Sequence, residues 1–198
     1  MHTNHAPEVD TKSKIFHIAA KLIAQKGYNA VSMREISEHS GVSKPMIYYY
    51  FESKEKLYLA LINSGLAYDE NQVQAIMKEE MATKDKLIKI FKIQFERCQL
   101  YPEFIKFFLH MFVKIEDTPL AERFRQEELR IKHGLMKLIQ EGIDRGEFGM
   151  SVKPEIAVEM IIGTITHFMW HQLNSKKKIL TEELAEEIIE VLFKGLNE

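Results

Sequence analysis

Apolar residues recur at helical spacing along most of the chain. Ile15, Ala19 and Leu22 fall three or four residues apart, as positions on one helix face do. This first helix begins at Thr11 and ends at Gly27, because glycine readily adopts the left-handed conformation that closes a helix. No segment alternates apolar and polar residues in the manner of a half-buried strand. The pattern predicts an all-α fold with about nine helices.

Serine residues mark the starts of three short-range helical patterns. Ser32 and Glu35 have the spacing of a capping box, in which a serine hydroxyl satisfies free backbone amides at a helix start. Ser43 and Ser53 are placed to cap the next two helices. Gly41 separates the helix that follows Ser32 from the helix that follows Ser43. The order helix, glycine turn, helix predicts a helix-turn-helix, whose second helix can enter the DNA major groove.

The remaining helices follow one another to the C-terminus. Several begin at or beside proline, because its missing N–H costs least in the first helical turn. The predicted segments start at Thr83 and Pro102 and then span residues 119–145, 155–173 and 182–196.

Composition limits the class of protein. The chain has 198 residues, of which 45% are hydrophobic and 28% charged, as in an ordinary globular protein. Its apolar runs are too short to span a membrane, and its start does not resemble a secretory signal. A lone cysteine, Cys98, cannot form an internal disulfide. We expect a cytoplasmic protein with a flexible tail over residues 1–10, a helix-turn-helix domain over 11–56 and a larger helical domain over 57–198.

The second helix of the predicted helix-turn-helix carries the candidate chemistry. Residues 1–60 hold 8 Lys and Arg against 6 Asp and Glu, although the whole chain has a net charge of −2. The spacing places Ile47, Tyr50 and Phe51 to pack inward. It leaves two neighbouring stripes that can point outward: Lys44 with Tyr48, and Pro45 with Tyr49. Exposed aromatic rings are costly in water unless a partner covers them. Duplex DNA offers phosphates to the hydroxyl groups and thymine methyls to the rings.

Residues 14–57 resemble the DNA-binding domain of the tetracycline-repressor-like (TetR) transcriptional regulators. The similarity includes the apolar positions of the first helix, Gly27-Tyr28 and Ser32-x-x-Glu-Ile. It is most specific in the segment Gly41-Val-Ser-Lys-Pro-Met-Ile-Tyr-Tyr-Tyr-Phe-x-Ser-Lys-Glu-x-Leu57. The resemblance implies a dimeric, ligand-responsive DNA-binding regulator. The expected action is repression, relieved when a small apolar or aromatic effector releases the protein from a palindromic operator.

The resemblance also assigns DNA-binding residues. The positions that match those touching DNA are Ser32, Ser43, Lys44, Tyr48, Tyr49 and Lys54. Among them, Tyr48 and Lys54 are expected at phosphates, and Lys44 and Tyr49 nearer to bases. Tyr50 matches a position that is often histidine or tyrosine, which either touches DNA or packs inside.

Proline at position 45 departs from the family pattern, which usually has glycine there. Pro45 lacks a backbone N–H donor and carries a ring, so the family's backbone contact to DNA is in question. It is compatible with a first helical turn, so we expect the helix to form. Met46 is then a candidate to contact a thymine methyl.

Two copies of the chain are needed to place recognition helices in successive major grooves, about 34 Å apart. The helix over 155–173 is apolar on nearly all sides and must be covered on more than one face. In the TetR family the last two helices of each subunit form the dimer interface. The resulting interface prediction is Ile161, Ile165, Met169, Ile188 and Leu192.

The middle helices are rich in soft and aromatic side chains. The chain has 12 Phe and 10 Met, and methionine suits adaptable apolar pockets as well as cores. Core filling is the simpler interpretation of each single residue, but the resemblance favours an effector pocket. The predicted pocket residues are Phe95, Met111, Met136 and Phe168.

Two alternative functions stay open, an enzyme based on histidines and a small-molecule-binding protein for which Pro45 is the argument. His167 and His171 are four residues apart and could face one metal ion, but no acidic third ligand stands at a matching spacing. We therefore expect no metal, no cofactor and no enzymatic activity. The alternatives are a helical enzyme that uses His110, His167 or His171, and a small-molecule-binding protein that does not bind DNA.

Overall fold

The computed structural model describes residues 11–113, 120–149 and 151–197, and within these ranges it contains nine α-helices and no strand. The helices are α1 (Thr11–Lys26), α2 (Met33–Ser40), α3 (Lys44–Phe51), α4 (Lys54–Lys78), α5 (Thr83–Leu100), α6 (Pro102–Val113), α7 (Ala121–Asp144), α8 (Pro154–Asn174) and α9 (Glu182–Asn197). The predicted all-α fold is confirmed. The predicted tail over 1–10 and the predicted helix start at residue 119 lie outside the described residues.

Two apolar cores share helix α4. The first core packs α1, α2, α3 and the N-terminal half of α4, and it includes Phe107 of α6 and Phe124 of α7. The second core packs Ile76, near the C-terminal end of α4, with side chains from α5 to α9. Phe104 of α6 packs against both cores. Helix α4 therefore connects the helix-turn-helix to the larger helical part, and the predicted boundary at residue 57 falls in its first turn.

Gly65 allows α6 to approach α4 closely. A Cβ atom at this position would lie 1.9 Å from Cζ of Phe104, far inside van der Waals contact. The Phe104 ring is held there by Phe107 and Phe108, whose ring centroids lie 6.1 and 5.9 Å away. On the same junction, Arg97 of α5 places its guanidinium carbon 4.9 Å from the Phe104 ring centroid.

Two of the glycines inside helices, Gly65 and Gly134, are expected to respond to alanine with opposite signs. Gly134→Ala should stabilise the protein by about 0.5–1 kcal/mol, since alanine favours a helix and a Cβ there meets nothing within 4 Å. Gly65→Ala should destabilise it by about 1–3 kcal/mol, because Phe104 must be displaced from a packed position. Urea unfolding followed by circular dichroism measures both free energies. Equal stabilisation by the two variants would show that the α4–α6 junction is not closely packed.

Candidate nucleic-acid interface

Side-chain caps fix the two helices of the helix-turn-helix. The Ser32 hydroxyl accepts a hydrogen bond from the Glu35 backbone N–H at 3.2 Å, and the Ser43 hydroxyl accepts one from the Met46 N–H at 3.4 Å. Gly41 joins α2 to α3 with a φ of 68°, the left-handed conformation that favours glycine. Both predicted caps thus form, and each serine hydroxyl keeps its own proton to donate to a partner.

Glu35 links helix α2 to helix α1. Its carboxylate pairs with the Lys26 ammonium group at the end of α1. The hydrogen bond from Lys26 is the main cause that lowers the pKa of Glu35, and the Ser32 backbone N–H adds to it. The pair links α1 to the first turn of α2.

The inner face of α3 packs on the first core as the spacing predicts. Ile47 and Phe51 are buried. Tyr50 is 39% exposed, so it does not pack inside; its ring lies 5.7 Å from that of Tyr49 and 6.0 Å from that of Phe51, between centroids. The inward interpretation of Tyr50 is therefore wrong, because the helix turns this side chain to the edge of the core.

The outer face of α3 forms what we call the reading surface. It consists of the exposed side chains of Lys44, Pro45, Met46, Tyr48 and Tyr49. Tyr49 is 81% exposed. The Lys44 ammonium lies 5.8 Å from the Tyr48 ring centroid, so the cation and the aromatic ring are neighbours on one side of the helix. Aromatic, apolar and basic groups are thus presented together on a short helix whose other side is fixed by the core.

A strained turn ends α3. Glu52 has a φ of 59° and a ψ of −39°, and the Ser53 backbone N–H donates to the Phe51 carbonyl across it. This three-residue turn belongs to a rare and strained class for a residue other than glycine. It changes the chain direction between α3 and α4 within two residues, so the end of the recognition helix is sharply defined.

Lys54 has protein partners that the sequence did not indicate. Its Nζ donates to the carbonyl oxygens of Tyr28 and Val31, each at 2.8 Å, and lies 4.1 Å from the Tyr28 ring centroid. Partial burial lowers the pKa of the Lys54 ammonium group. Its predicted contact with a DNA phosphate stays a prediction.

The predicted pocket residues lie in the second core. Phe95 is buried, and Met136 and Phe168 are half-buried and pack against the same core. The side chain of Met111 lies outside the described residues. The Nε2 atom of His110, on α6, is buried and has no hydrogen-bond partner in the described part of the chain.

The predicted interface residues are mostly internal. Ile161, Met169 and Ile188 are buried within the single chain, while Ile165 and Leu192 are half-buried. These three residues pack mainly in the protomer's own core, with 3%, 6% and 8% of the surface of Ile161, Met169 and Ile188 exposed, and their place in a dimer interface stays a prediction.

A different face of α8 and α9 exposes apolar side chains. The exposed apolar residues on these helices are Ile156, Met160, Trp170 and Val191. At about 100° per residue, the exposed apolar residues of α8 fall within an arc of about 80°, so they form one stripe together with the exposed Gly163 and His167. The sequence showed that the helix over 155–173 is apolar on nearly all sides and must be covered on more than one face. It did not indicate which side of the helix faces outward.

The histidines of α8 do not assemble a metal site in the described ranges. His167 and His171 are exposed, and across residues 11–113, 120–149 and 151–197 no group of three or more His, Cys, Asp or Glu side chains is placed to hold an ion. The same described residues contain no helix long and apolar enough to cross a membrane.

Together the capped helices α2 and α3 and the exposed reading surface define a helix-turn-helix DNA-binding protein. The family model described as bacterial regulatory proteins, tetR family, matches residues 15–61. Residues 15–61 therefore match the DNA-binding domain of the TetR family, as the sequence motif indicated. The matched segment covers α1 to the first two turns of α4.

Relatives of similar length cover nearly the whole chain. The fatty acid metabolism regulator protein of Bacillus subtilis is 23% identical over 188 residues, which cover 93% of this chain and 94% of the relative. The solved structure of the regulator FadR from Bacillus subtilis in complex with stearoyl-CoA has a TM-score of 0.76 at 22% identity, covering 92% of this chain and 97% of the other. The structure of AibR in complex with isovaleryl coenzyme A and operator DNA has a TM-score of 0.73 at 20% identity, covering 93% and 98%. These similarities extend the shared fold to the larger helical part.

Proposed function

We propose that this protein is a dimeric transcriptional repressor that binds a palindromic operator and releases it on binding an effector. The observation that carries the proposal is the reading surface on α3, where Tyr48, Tyr49 and Lys44 are exposed on a helix fixed from behind by Ile47 and Phe51. Such a surface is suited to phosphate oxygens and base edges in a major groove. The same proposal places the protein in the cytoplasm, with the DNA it regulates.

Within this proposal, the DNA contacts are divided by position along the helix-turn-helix. Ser32 and Ser43 lie at helix starts, where hydroxyl and backbone N–H groups suit phosphates. Pro45 and Met46 lie in the first turn of α3 and offer only apolar surface, which suits a thymine methyl. Tyr50 lies at the edge of the reading surface and completes the contact.

The exposed stripe of α8 is proposed as the centre of the dimer interface, together with Val191 of α9. Four large apolar side chains on α8 and α9 would otherwise remain in water. Ile165 and Leu192 pack against the second core but are only half-buried, so part of each side chain stays exposed. A two-fold axis through this face gives each dimer two copies of α3, as a palindromic operator needs.

For the effector we propose an acyl-coenzyme A. Two structures with this fold are described as complexes with stearoyl-CoA and isovaleryl coenzyme A. The second core of this chain is lined with aromatic and thioether side chains, including Phe95, Met136 and Phe168, which suit an acyl chain. His110 adds a buried Nε2 atom that can meet a polar atom of such a ligand. In this proposal the larger part of the chain binds and does not catalyse.

The proposal is tested by operator selection followed by titration. Duplexes retained by the purified protein from a randomised library are sequenced, and the selected operator is titrated by fluorescence anisotropy. We expect a palindrome. Saturating stearoyl-CoA should weaken operator affinity by roughly 5–150-fold, the usual range of allosteric coupling. Free coenzyme A and stearate serve as controls.

The outcomes separate the parts of the proposal. Selection of no sequence above background would contradict DNA recognition and favour a small-molecule-binding protein. If a palindrome is selected but acyl-coenzyme A ligands of any chain length leave the operator affinity unchanged, the DNA-binding function stands and the proposed effector class is wrong.

A further inference from the structure

Lysine is an unexpected residue at the start of α4. Lys54 is the first residue of this helix, directly after its cap Ser53. The positive end of the helix dipole lies here, so a cation is disfavoured at this position and carboxylates are preferred. Some other interaction must compensate, and the structure shows which one it is.

The ammonium group of Lys54 is directed back onto the turn between α1 and α2. Its two hydrogen bonds, each 2.8 Å long, end on carbonyls at both ends of the segment from Tyr28 to Val31. These carbonyls belong to a turn and not to a helix. The Tyr28 carbonyl also accepts a long hydrogen bond of 3.4 Å from the Val31 backbone N–H, so the ammonium group supplies the shorter contact there. Charge-assisted hydrogen bonds of this kind are among the strongest that a protein makes.

Tyr28 forms the other half of the contact. It is buried, and its ring lies 4.1 Å from the Lys54 ammonium group. Tyr58 packs edge-on against the Tyr28 ring, with a centroid distance of 5.3 Å. The Tyr58 hydroxyl in turn donates to the Ala19 carbonyl of α1 at 3.2 Å. Lys54 is thereby joined through two rings to the middle of the first helix.

The Lys54 contact joins the two ends of the helix-turn-helix segment. Val31 immediately precedes Ser32, the cap of α2, and Lys54 follows the strained turn at Glu52 that ends α3. One side chain therefore fixes the distance between the start of α2 and the start of α4. The recognition helix α3 lies between these two points in the chain.

We infer that Lys54 is a positioning residue for DNA recognition, which holds α2 and α3 in the geometry that fits the groove, and that it is not a phosphate contact. This inference rests on the proposed DNA-binding function. It reassigns the family-based expectation for Lys54, because the side chain is directed at Tyr28 and Val31. The alternatives are a phosphate contact through the third ammonium N–H, and a contribution to stability alone.

Salt dependence distinguishes these roles. A lysine that neutralises one phosphate contributes about 0.9 to the slope of log affinity against log salt concentration, hence about 1.8 for the two subunits of a dimer. We expect Lys54→Met to weaken binding of the selected operator about tenfold with an unchanged slope. Lys44→Met, on the exposed reading surface, is the matched control and should reduce the slope. Binding is measured at a temperature where circular dichroism shows both variants folded.

Hydrogen exchange without DNA provides a second measurement. Lys54→Met should accelerate amide exchange in residues 28–40, while exchange in α5 and α9 stays at the wild-type rate. Should Lys54→Met not fold, Lys54→Gln keeps one N–H donor for a carbonyl and replaces it in both experiments.

Two results would overturn the inference. A slope reduced by about 1.8 in Lys54→Met would make Lys54 a phosphate contact. An unchanged operator affinity, or unchanged exchange in residues 28–40, would leave it without a positioning role. If the wild-type protein selects no operator, the proposed function fails, and the exchange measurement still decides whether Lys54 orders the helix-turn-helix.

Discussion

The double variant Met160→Glu/Trp170→Glu is expected to be monomeric and to bind the operator at least 100-fold more weakly than the wild type. Met160 and Trp170 are 47% and 53% exposed on one stripe of α8. A carboxylate in an apolar interface must be desolvated without a partner, which costs several kcal/mol. A monomer also loses the gain from binding two half-sites at once, which commonly amounts to a factor of 10²–10⁴.

Sedimentation velocity gives the oligomeric state and fluorescence anisotropy the operator affinity. Leu129→Glu is the matched control, because Leu129 is an exposed apolar residue on α7 and not a member of the α8 stripe. It should remain dimeric with unchanged affinity. A dimeric Met160→Glu/Trp170→Glu variant would move the interface to another face of the protein.

Tyr49→Ala is expected to weaken operator binding by about 30-fold or more without changing the free energy of unfolding by more than about 0.5 kcal/mol. Tyr49 is 81% exposed, so its removal leaves the protein core intact. A base-contacting side chain contributes about 1–3 kcal/mol, and the loss occurs in both subunits of a dimer.

Tyr101→Ala provides a matched comparison, because Tyr101 is 53% exposed at the turn between α5 and α6. Its loss should affect neither operator affinity nor stability. Equal operator affinities for Tyr49→Ala and the wild type would show that α3 presents a different side to DNA. Lower stability of Tyr49→Ala would instead assign the ring a packing role.

Local rules predicted the helices well. Capping serines, glycine stops and apolar spacing act over a few residues, so the starts of α2, α3 and α4 could be inferred from Ser32, Ser43 and Ser53. The inward positions of Ile47 and Phe51 followed from the same spacing.

Long-range choices could not be inferred in this way. Helix α8 is apolar on most sides, so periodicity alone did not separate Ile161 and Met169, which face the protomer's core, from Met160 and Trp170, which face outward. Lys54 gave a similar difficulty, since its partners lie 23 and 26 residues earlier in the chain. In both cases the decisive information is which surfaces meet, and this depends on the packing of the whole chain.

The length of helix α4 converts a small tilt of the helix into a large displacement of its N-terminal end. It is 25 residues long, which corresponds to about 37 Å at 1.5 Å per residue. A tilt of about 5° around the end near Ile76 would displace the Lys54 end by roughly 3 Å, as for a rigid rod of that length. Groove spacing is matched on the same scale as that displacement. In the proposed function, an effector would therefore need to change the angle of this one helix only slightly to release the operator, without local melting of the helix-turn-helix.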